Sequence, residues 1–361
     1  MIRILFLNFL LFSYWGCSVI GNKPSGDHLS KIKKSKNWDE HRQKFVNRNQ
    51  DEYDQMIKKF DYWGMLKEQF FGPQKNRFPK NKLPEVNVDI EKFIQAENLT
   101  YIWLGHSTIL LRLDGKTILF DPVFTNASPV GLFGKRFQDP VIPLEKLPHI
   151  DYVFLSHDHY DHLDKESVEY LFTRKNIKFF TPLGVSSYLI GWGLDPSRVK
   201  EFDWWDESEI GSIKFALTPG QHFSGRAGMS TNPTLWGSWV LIGNRERIFF
   251  SGDSGYDIHF SQIGEKYGPF DLVFMENGQY NKRWYMSHLN PQETVQATLD
   301  VKAKAMQPIH WGMYNLAPHD WNDPVINSFK FAQDKNFVFI ASRLGEIVEN
   351  FSNYQTMQWW Q

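Results

Sequence analysis

The sequence predicts a layered α/β domain with a helical N-terminal extension, and three observations lead to it. From about residue 100 onward, short segments rich in Val, Ile and Phe alternate with stretches of helical period. The 361 residues are 42% apolar and 22% charged, enough to bury a sizeable core in one or two domains. With a single cysteine, the chain has neither an internal disulfide framework nor a Cys-based zinc finger. A formal charge of −1, with no long block of either sign, also argues against a general nucleic-acid binder.

The elements follow in chain order. Residues 1–17 begin with one positive charge, Arg3, run nearly unbroken apolar from Ile4 to Trp15, and end in Gly16-Cys17. That run suits the core of a secretion signal and is short for a membrane-spanning helix. The lone cysteine after a small residue resembles the lipobox of bacterial lipoproteins, whose Cys is lipidated after cleavage, although Tyr14 stands where the pattern prefers Leu. A plain secretory signal, an uncleaved anchor and a buried N-terminal segment are the alternatives. Residues 18–37 are polar, with Lys31, Lys33, Lys34 and Lys36, and read as a tether. Between residues 38 and 71, Phe45, Tyr53, Met56, Ile57, Phe60, Trp63 and Leu66 recur at roughly helical spacing. Exposed aromatics here would suit a lipid interface, with ordinary packing as the alternative. Residues 18–84 are thus expected to be tether and helical extension, ahead of a main domain over 85–361.

After the Pro/Lys/Asn-rich break at 72–84, the period becomes strand-like at 101–104, 109–113 and 117–120, with a turn at Asp114-Gly115. This reads as an antiparallel meander. Further strands are expected at 152–155, 178–180, 213–217, 239–242, 247–250 and 271–275, and helices at 165–173, 256–267, 291–303 and 323–334.

The expected strand at 151–156 runs into His157-Asp158-His159-Tyr160-Asp161-His162. Alternate residues of an extended backbone project to one side, so His157 and His159 can share one ion. A turn just after them can carry Asp161 and His162 to a second. Each ion needs ligands from elsewhere in the chain. His222, Asp253 and His310 each stand beside Gly or Pro just after an expected strand. Singly they are weak signals, and Asp253 beside Gly252 reads equally well as a turn residue. Together they complete the order HxHxDH, H, D, H.

With these residues the chain resembles the metallo-β-lactamase superfamily over about residues 100–345. A narrower resemblance, to the N-acylphosphatidylethanolamine-hydrolysing phospholipase D branch with its bacterial outer-membrane homologues, rests on several short motifs. They are Trp103-Leu104-Gly105-His106-Ser107-Thr108, Phe120-Asp121-Pro122-Val123-Phe124, His159-Tyr160-Asp161-His162-Leu163-Asp164, Leu235-Trp236-Gly237-Ser238-Trp239, Gly252-Asp253-Ser254-Gly255-Tyr256 and Ile309-His310-Trp311-Gly312. The resemblance implies a four-layer αβ/βα sandwich with a dinuclear metal site. In it, His157, His159 and His222 hold one ion, Asp161, His162 and His310 the other, and Asp253 bridges both. Flavodiiron proteins of the same superfamily put Glu where this chain has His159, which favours hydrolysis over oxygen chemistry.

The implied cofactor is two Zn²⁺ per chain, with Mn²⁺ or Fe²⁺ compatible because every donor is N or O. A metal-held water has its pKa lowered from about 15.7 to about 7, and two ions can stabilise attacking and leaving oxygens. Asp161, Asp253 and His288 are the expected catalytic residues, and the resemblance implies that His288 and Tyr160 contact substrate. His106 reads as a hydrogen-bonded structural residue and Asp121 as a turn residue or a support behind the ligands. Neither residues 223–233 nor the helical N-terminal region shows a recognisable acyl-chain pocket. The expectation is a phosphodiesterase acting on a phospholipid or amphipathic phosphodiester and tethered in a bacterial cell envelope, as a lipid-anchored outer-membrane or periplasmic protein. A lactonase or other ester or amide hydrolase of the same fold is the alternative, and a non-catalytic envelope lipoprotein the third reading. A monoanionic phosphodiester and a carboxylate-bearing lactam would neutralise such a site equally, so charge does not choose between them.

Overall fold

A computed structural model describes residues 19–72, 76–128, 134–226, 232–349 and 351–361. The expected signal segment and Cys17 lie outside the described residues. The extension comprises helix α1 (Gly26–Ile32), a ribbon of β1 (Trp38–Asp39) and β2 (Lys44–Phe45), then α2 (Gln50–Lys58) and α3 (Tyr62–Phe71). Helix α4 (Ile90–Gln95) leads into the sheets.

The first sheet holds β3 (Thr100–Trp103), β4 (Ile109–Leu113), β5 (Lys116–Phe120), β6 (Tyr152–Phe154), β7 (Lys178–Pro182) and β8 (Val199–Phe202), with β16 (Ile347–Val348) beside β3. Pairing is antiparallel from β16 to β5 and parallel from β5 to β8. The second sheet runs from β9 (Glu207–Ile210) through β10 (Ile213–Thr218), β11 (Ser238–Ile242), β12 (Arg247–Phe250), β13 (Leu272–Glu276) and β14 (Ala305–Ile309) to β15 (Val338–Phe339). It too is antiparallel through β12 and parallel beyond. Parallel strands need crossovers, supplied by α5 (Lys165–Phe172) and α6 (Ser186–Gly191) in the first half and by α7 (His259–Lys266), α8 (Pro291–Asp300) and α9 (Asp323–Ala332) in the second.

The two sheets face each other through aromatic pairs. Phe120 of β5 stacks on Phe250 of β12 with centroids 4.5 Å apart, and Phe154 of β6 meets Trp239 of β11 at 5.0 Å. On the far face of the first sheet, Leu110, Leu119, Val153 and Phe179 pack with Val168 and Leu171 of α5 and Leu189 of α6. Central strands such as β6 and β13 are therefore buried on both faces and read largely as apolar runs rather than alternating ones. This is the four-layer αβ/βα sandwich that the resemblance implies.

The extension departs from expectation in two respects. Residues 38–71 are not uniformly helical, because the ribbon comes first and Asp61 caps a new helix by accepting from Gly64 N at 2.8 Å. Nor do residues 19–37 behave as a tether. Ile32 is 1% exposed within the main core, His28 Nε2 lies 2.7 Å from Glu201, and Asn37 Nδ2 donates to Asp203 at 2.8 Å. Polar composition concealed an apolar anchor and hydrogen bonds whose partners lie more than 150 residues away.

Candidate metal centre

The predicted metal ligands all stand at strand ends on one rim of the sandwich. β6 releases the chain at Phe154, and a turn closed by Leu163 N donating to His159 O at 2.7 Å returns it to α5, whose cap is Asp164. His157, His159, Asp161 and His162 occupy that loop, His222 follows β10, Asp253 follows β12 and His310 follows β14. Gly252 makes the turn before Asp253 with φ +57°, and a Cβ there would lie 2.6 Å from Ser156 Cβ. His106, Asp121 and His310 also adopt positive φ, so backbone strain concentrates around the site.

Three donor groups form among the described residues, one of His157, His159, His222 and Asp253, a second of Asp161, His162 and His310 with His106, and a third of Asp253, Glu276, His288 and His310. Asp253 faces the first two and belongs to the third. Its Oδ2 lies 3.8 Å from His157 Nε2 and 3.7 Å from His222 Nε2, while its Oδ1 lies 3.1 Å from His162 Nε2 and 3.0 Å from His310 Nδ1. His162 Nε2, Asp253 Oδ1 and His310 Nε2 are buried yet make no hydrogen bond among the described residues. Such orphaned atoms are costly unless something else satisfies them. The opposite ring nitrogens are engaged: His222 Nδ1 lies 2.8 Å from Ser287 O, His162 Nδ1 2.7 Å from Asp121, and His157 Nδ1 2.9 Å from Ser156 Oγ. This leaves each Nε2 directed inward, as metal-ligating histidines require. The donor set is able to hold metal ions.

Electrostatics agree for four of the five candidate histidines. Burial, reinforced by neighbouring imidazoles, holds His157, His222 and His310 well below the ordinary imidazole value, and burial brings His159 to about 4. Neutral imidazole is the ligating form. His162 goes the other way, since Asp253, Asp161 and Asp121 outweigh its burial. Burial lifts Asp253 to about 7 against the pull of His162. Asp161 is held below the carboxylate range by His162 and His106, against its own burial.

The supporting residues were partly foreseen. Asp121, fully buried, accepts from Ser156 N at 2.8 Å and Ser156 Oγ at 2.6 Å as well as binding His162. His106 Nε2 lies 3.0 Å from Asp161 Oδ2. Sequence reasoning missed Glu276, at the end of β13 and fully buried, which pairs with His288 Nδ1 and accepts from Ser254 N at 2.9 Å. It also missed Asn47 of the extension. Asn47 Nδ2 donates to His222 O at 2.8 Å, and His222 N donates to Asn47 Oδ1 at 3.0 Å.

A cleft of about 430 Å³ opens onto the centre, reaching His159, Asp161, Asp253, His288 and His310. Its walls include Tyr53, Ile57 and Phe60 from the extension, facing Phe223, Trp284 and Leu316. His288 is thus brought to the site, its ring stacked 5.2 Å from that of His310. Tyr160 is not. Its hydroxyl donates to Arg226 O and its ring lies under the Arg226 guanidinium, so it is spent on the back of the loop and does not line the cleft.

Comparison with known proteins agrees with this geometry. A family model described as a beta-lactamase superfamily domain matches residues 116–311. An uncharacterized protein of Mycobacterium tuberculosis is 39% identical over 270 residues, covering 73% of this chain and 72% of the relative. An N-acyl-phosphatidylethanolamine-hydrolyzing phospholipase D of Caenorhabditis elegans is 37% identical over 299 residues, covering 77% and 83%. Outer membrane protein RomA of Klebsiella pneumoniae is 49% identical over 96 residues, 27% of this chain and 72% of RomA. Among solved structures, Igni18, a metallo hydrolase from Ignicoccus hospitalis, superposes with TM-score 0.55 at 20% identity over 70% of this chain and 97% of its own. Sandwich, donor set and relatives converge, and the chain belongs to the metallo-β-lactamase superfamily, as a metal-dependent hydrolase of that fold.

Proposed function

We propose that the chain is a zinc-dependent phosphodiesterase of phospholipase D type, acting on N-acylphosphatidylethanolamine-like phospholipids. The observation that carries the reading is Asp253 facing two donor groups at the floor of an apolar-walled cleft. Similarity to the nematode phospholipase supports the substrate class. Bound divalent ions would supply Lewis acidity toward the phosphoryl oxygens and acidify a water. The chain's own residues do the rest. Glu276 holds His288 by Nδ1, which leaves Nε2 as the nitrogen available to a phosphoryl oxygen in the cleft. Tyr53, Ile57, Phe60 and Trp284 give hydrocarbon a dry wall next to that polar floor.

The proposal includes a lipid anchor at Cys17 that would hold the enzyme in a bacterial envelope, a location that similarity to RomA supports. Exposed Tyr62, Trp63 and Phe71 on α3 suit a lipid surface. The decisive assay measures hydrolysis of bis(p-nitrophenyl) phosphate and N-acylphosphatidylethanolamine, with metal content on the same sample. Two ions per chain with preference for the lipid is the expected result. Two ions without diester turnover would move the reading to lactone or amide hydrolysis.

A further inference from the structure

Arg226 is 1% exposed, one of the largest wholly buried side chains, yet it does not line the cleft. It sits behind the metal loop. Its Nη1 donates to the carbonyls of Asp158 at 2.7 Å and Leu163 at 2.8 Å, the residues that bracket His159, Asp161 and His162. Nη2 donates to the carbonyl of Val19 at 3.2 Å. Aromatic rings enclose the cation, with centroids of Tyr160 at 4.1 Å, Trp192 at 5.0 Å and Tyr188 at 5.7 Å. Buried Asp158 accepts from Gly225 N at 2.8 Å and from Thr234 Oγ1 at 3.1 Å, so a carboxylate accompanies the guanidinium out of water. The segment after Val19 packs on the same rings: a Cβ on Gly21, φ +75°, would come 2.8 Å from Tyr188 and 3.0 Å from Trp192.

The geometry points to Arg226 as a positioning residue that fixes the span of the metal-ligating loop, with the chain at Val19 as its third anchor. A planar, fixed fork of donors can hold two carbonyls at a set separation, whereas an ammonium is a point charge on a flexible stem. Both ends of the loop carrying three of the metal donors are thereby tied to one rigid group. The N-terminal chain at Val19, two residues after Cys17 in sequence, becomes part of the metal site's support.

The test loads the full chain with cobalt(II), whose visible absorption reports ligand geometry without any substrate, so this result stands apart from the phosphodiesterase assay. In Arg226→Met the cobalt affinity should fall about tenfold or more, the range seen when supports of metal ligands are removed, and the spectrum should change. Arg226→Lys should fail to restore either. Lower thermal stability with wild-type cobalt affinity and spectrum would overturn the proposal. Should Arg226→Met not fold, Trp192→Leu removes one face of the enclosure and no donor. An altered spectrum supports the role and an unaltered one overturns it. Gly21→Ala should shift the spectrum less and in the same direction, and a wild-type spectrum there would remove Val19 from the support.

Discussion

At the residue scale the centre depends on groups that never reach the cleft. Asp121 binds His162 Nδ1 and both donors of Ser156, and its φ of +37° is one that Asn tolerates. Asp121→Asn should therefore fold normally. It replaces an anionic acceptor with a neutral amide behind a ligand, which should weaken metal binding about 10- to 100-fold. Competition with a chromophoric chelator measures it, and an affinity within twofold of wild type would refute the assignment. His159→Ala or Asp253→Ala should abolish turnover with little change in circular dichroism. The candidate ligands were legible in the sequence because four of them fall within six residues, and His222, Asp253 and His310 follow expected strands. Glu276 was not legible, since it closes the apolar run Leu272-Val273-Phe274-Met275 and its importance comes only from His288 folding back on it. Tyr160 misled for a related reason. Which face of the turn it takes is decided by Arg226, 66 residues away.

Among the elements, most central strands and four of the five crossover helices were readable, because a strand buried on both faces is largely apolar, whereas helix α6 (Ser186–Gly191) was not foreseen. Edges were harder: β9 reads Glu-Ser-Glu-Ile, and β15 and β16 are two residues each, so neither pattern nor length marks them. Helix α1 was hidden by polarity, and its docking makes a pH prediction. The Glu201 carboxylate raises His28 above 6.5 despite partial burial, with Ser187 Oγ 2.8 Å from the other ring nitrogen. A raised folded-state value means the contribution is fully present below about pH 6.5 and lost as pH rises through that raised value. Residues 26–32 should be cut by protease faster at pH 9 than at pH 6, beyond the change in protease activity. His28→Gln should remove that difference; if it persists in the variant, the pair is not its cause. The turn between helices α2 and α3, which carries Phe60, is read through function. Phe60 lines the cleft and stacks on Trp284 at 6.1 Å, so Phe60→Ala should lower kcat/KM for the lipid about tenfold, the equivalent of ~1.4 kcal/mol of lost apolar contact. Bis(p-nitrophenyl) phosphate, which has no chain to bury, should be hydrolysed nearly as before. Equal losses on both substrates would show that this turn supports the metals and not the lipid.

Across the whole molecule, the two half-sandwiches repeat one plan, antiparallel strands followed by parallel ones, and each contributes donors to a centre at their common rim. The first half supplies the HxHxDH loop, the second His222, Asp253 and His310, and the extension clamps His222 through Asn47. Neither half holds a complete site, so ions bound there link the halves. Without them, Asp253 Oδ1, His162 Nε2 and His310 Nε2 are buried polar atoms with no hydrogen-bond partner among the described residues, a cost the folded state carries alone. Ions that bind only the folded chain add RT ln(1 + [L]/Kd), about 4 kcal/mol per site at a thousandfold excess over Kd. Chelation should therefore lower Tm by several degrees as well as end turnover, and stoichiometric Zn²⁺ should restore both together. The two should also part in a defined way: acid should release metal as the ligating histidines become protonated, since metal and proton compete for the same nitrogens. Calorimetry with metal analysis across pH checks this, and a Tm indifferent to verified metal removal would mean the halves hold together without the centre.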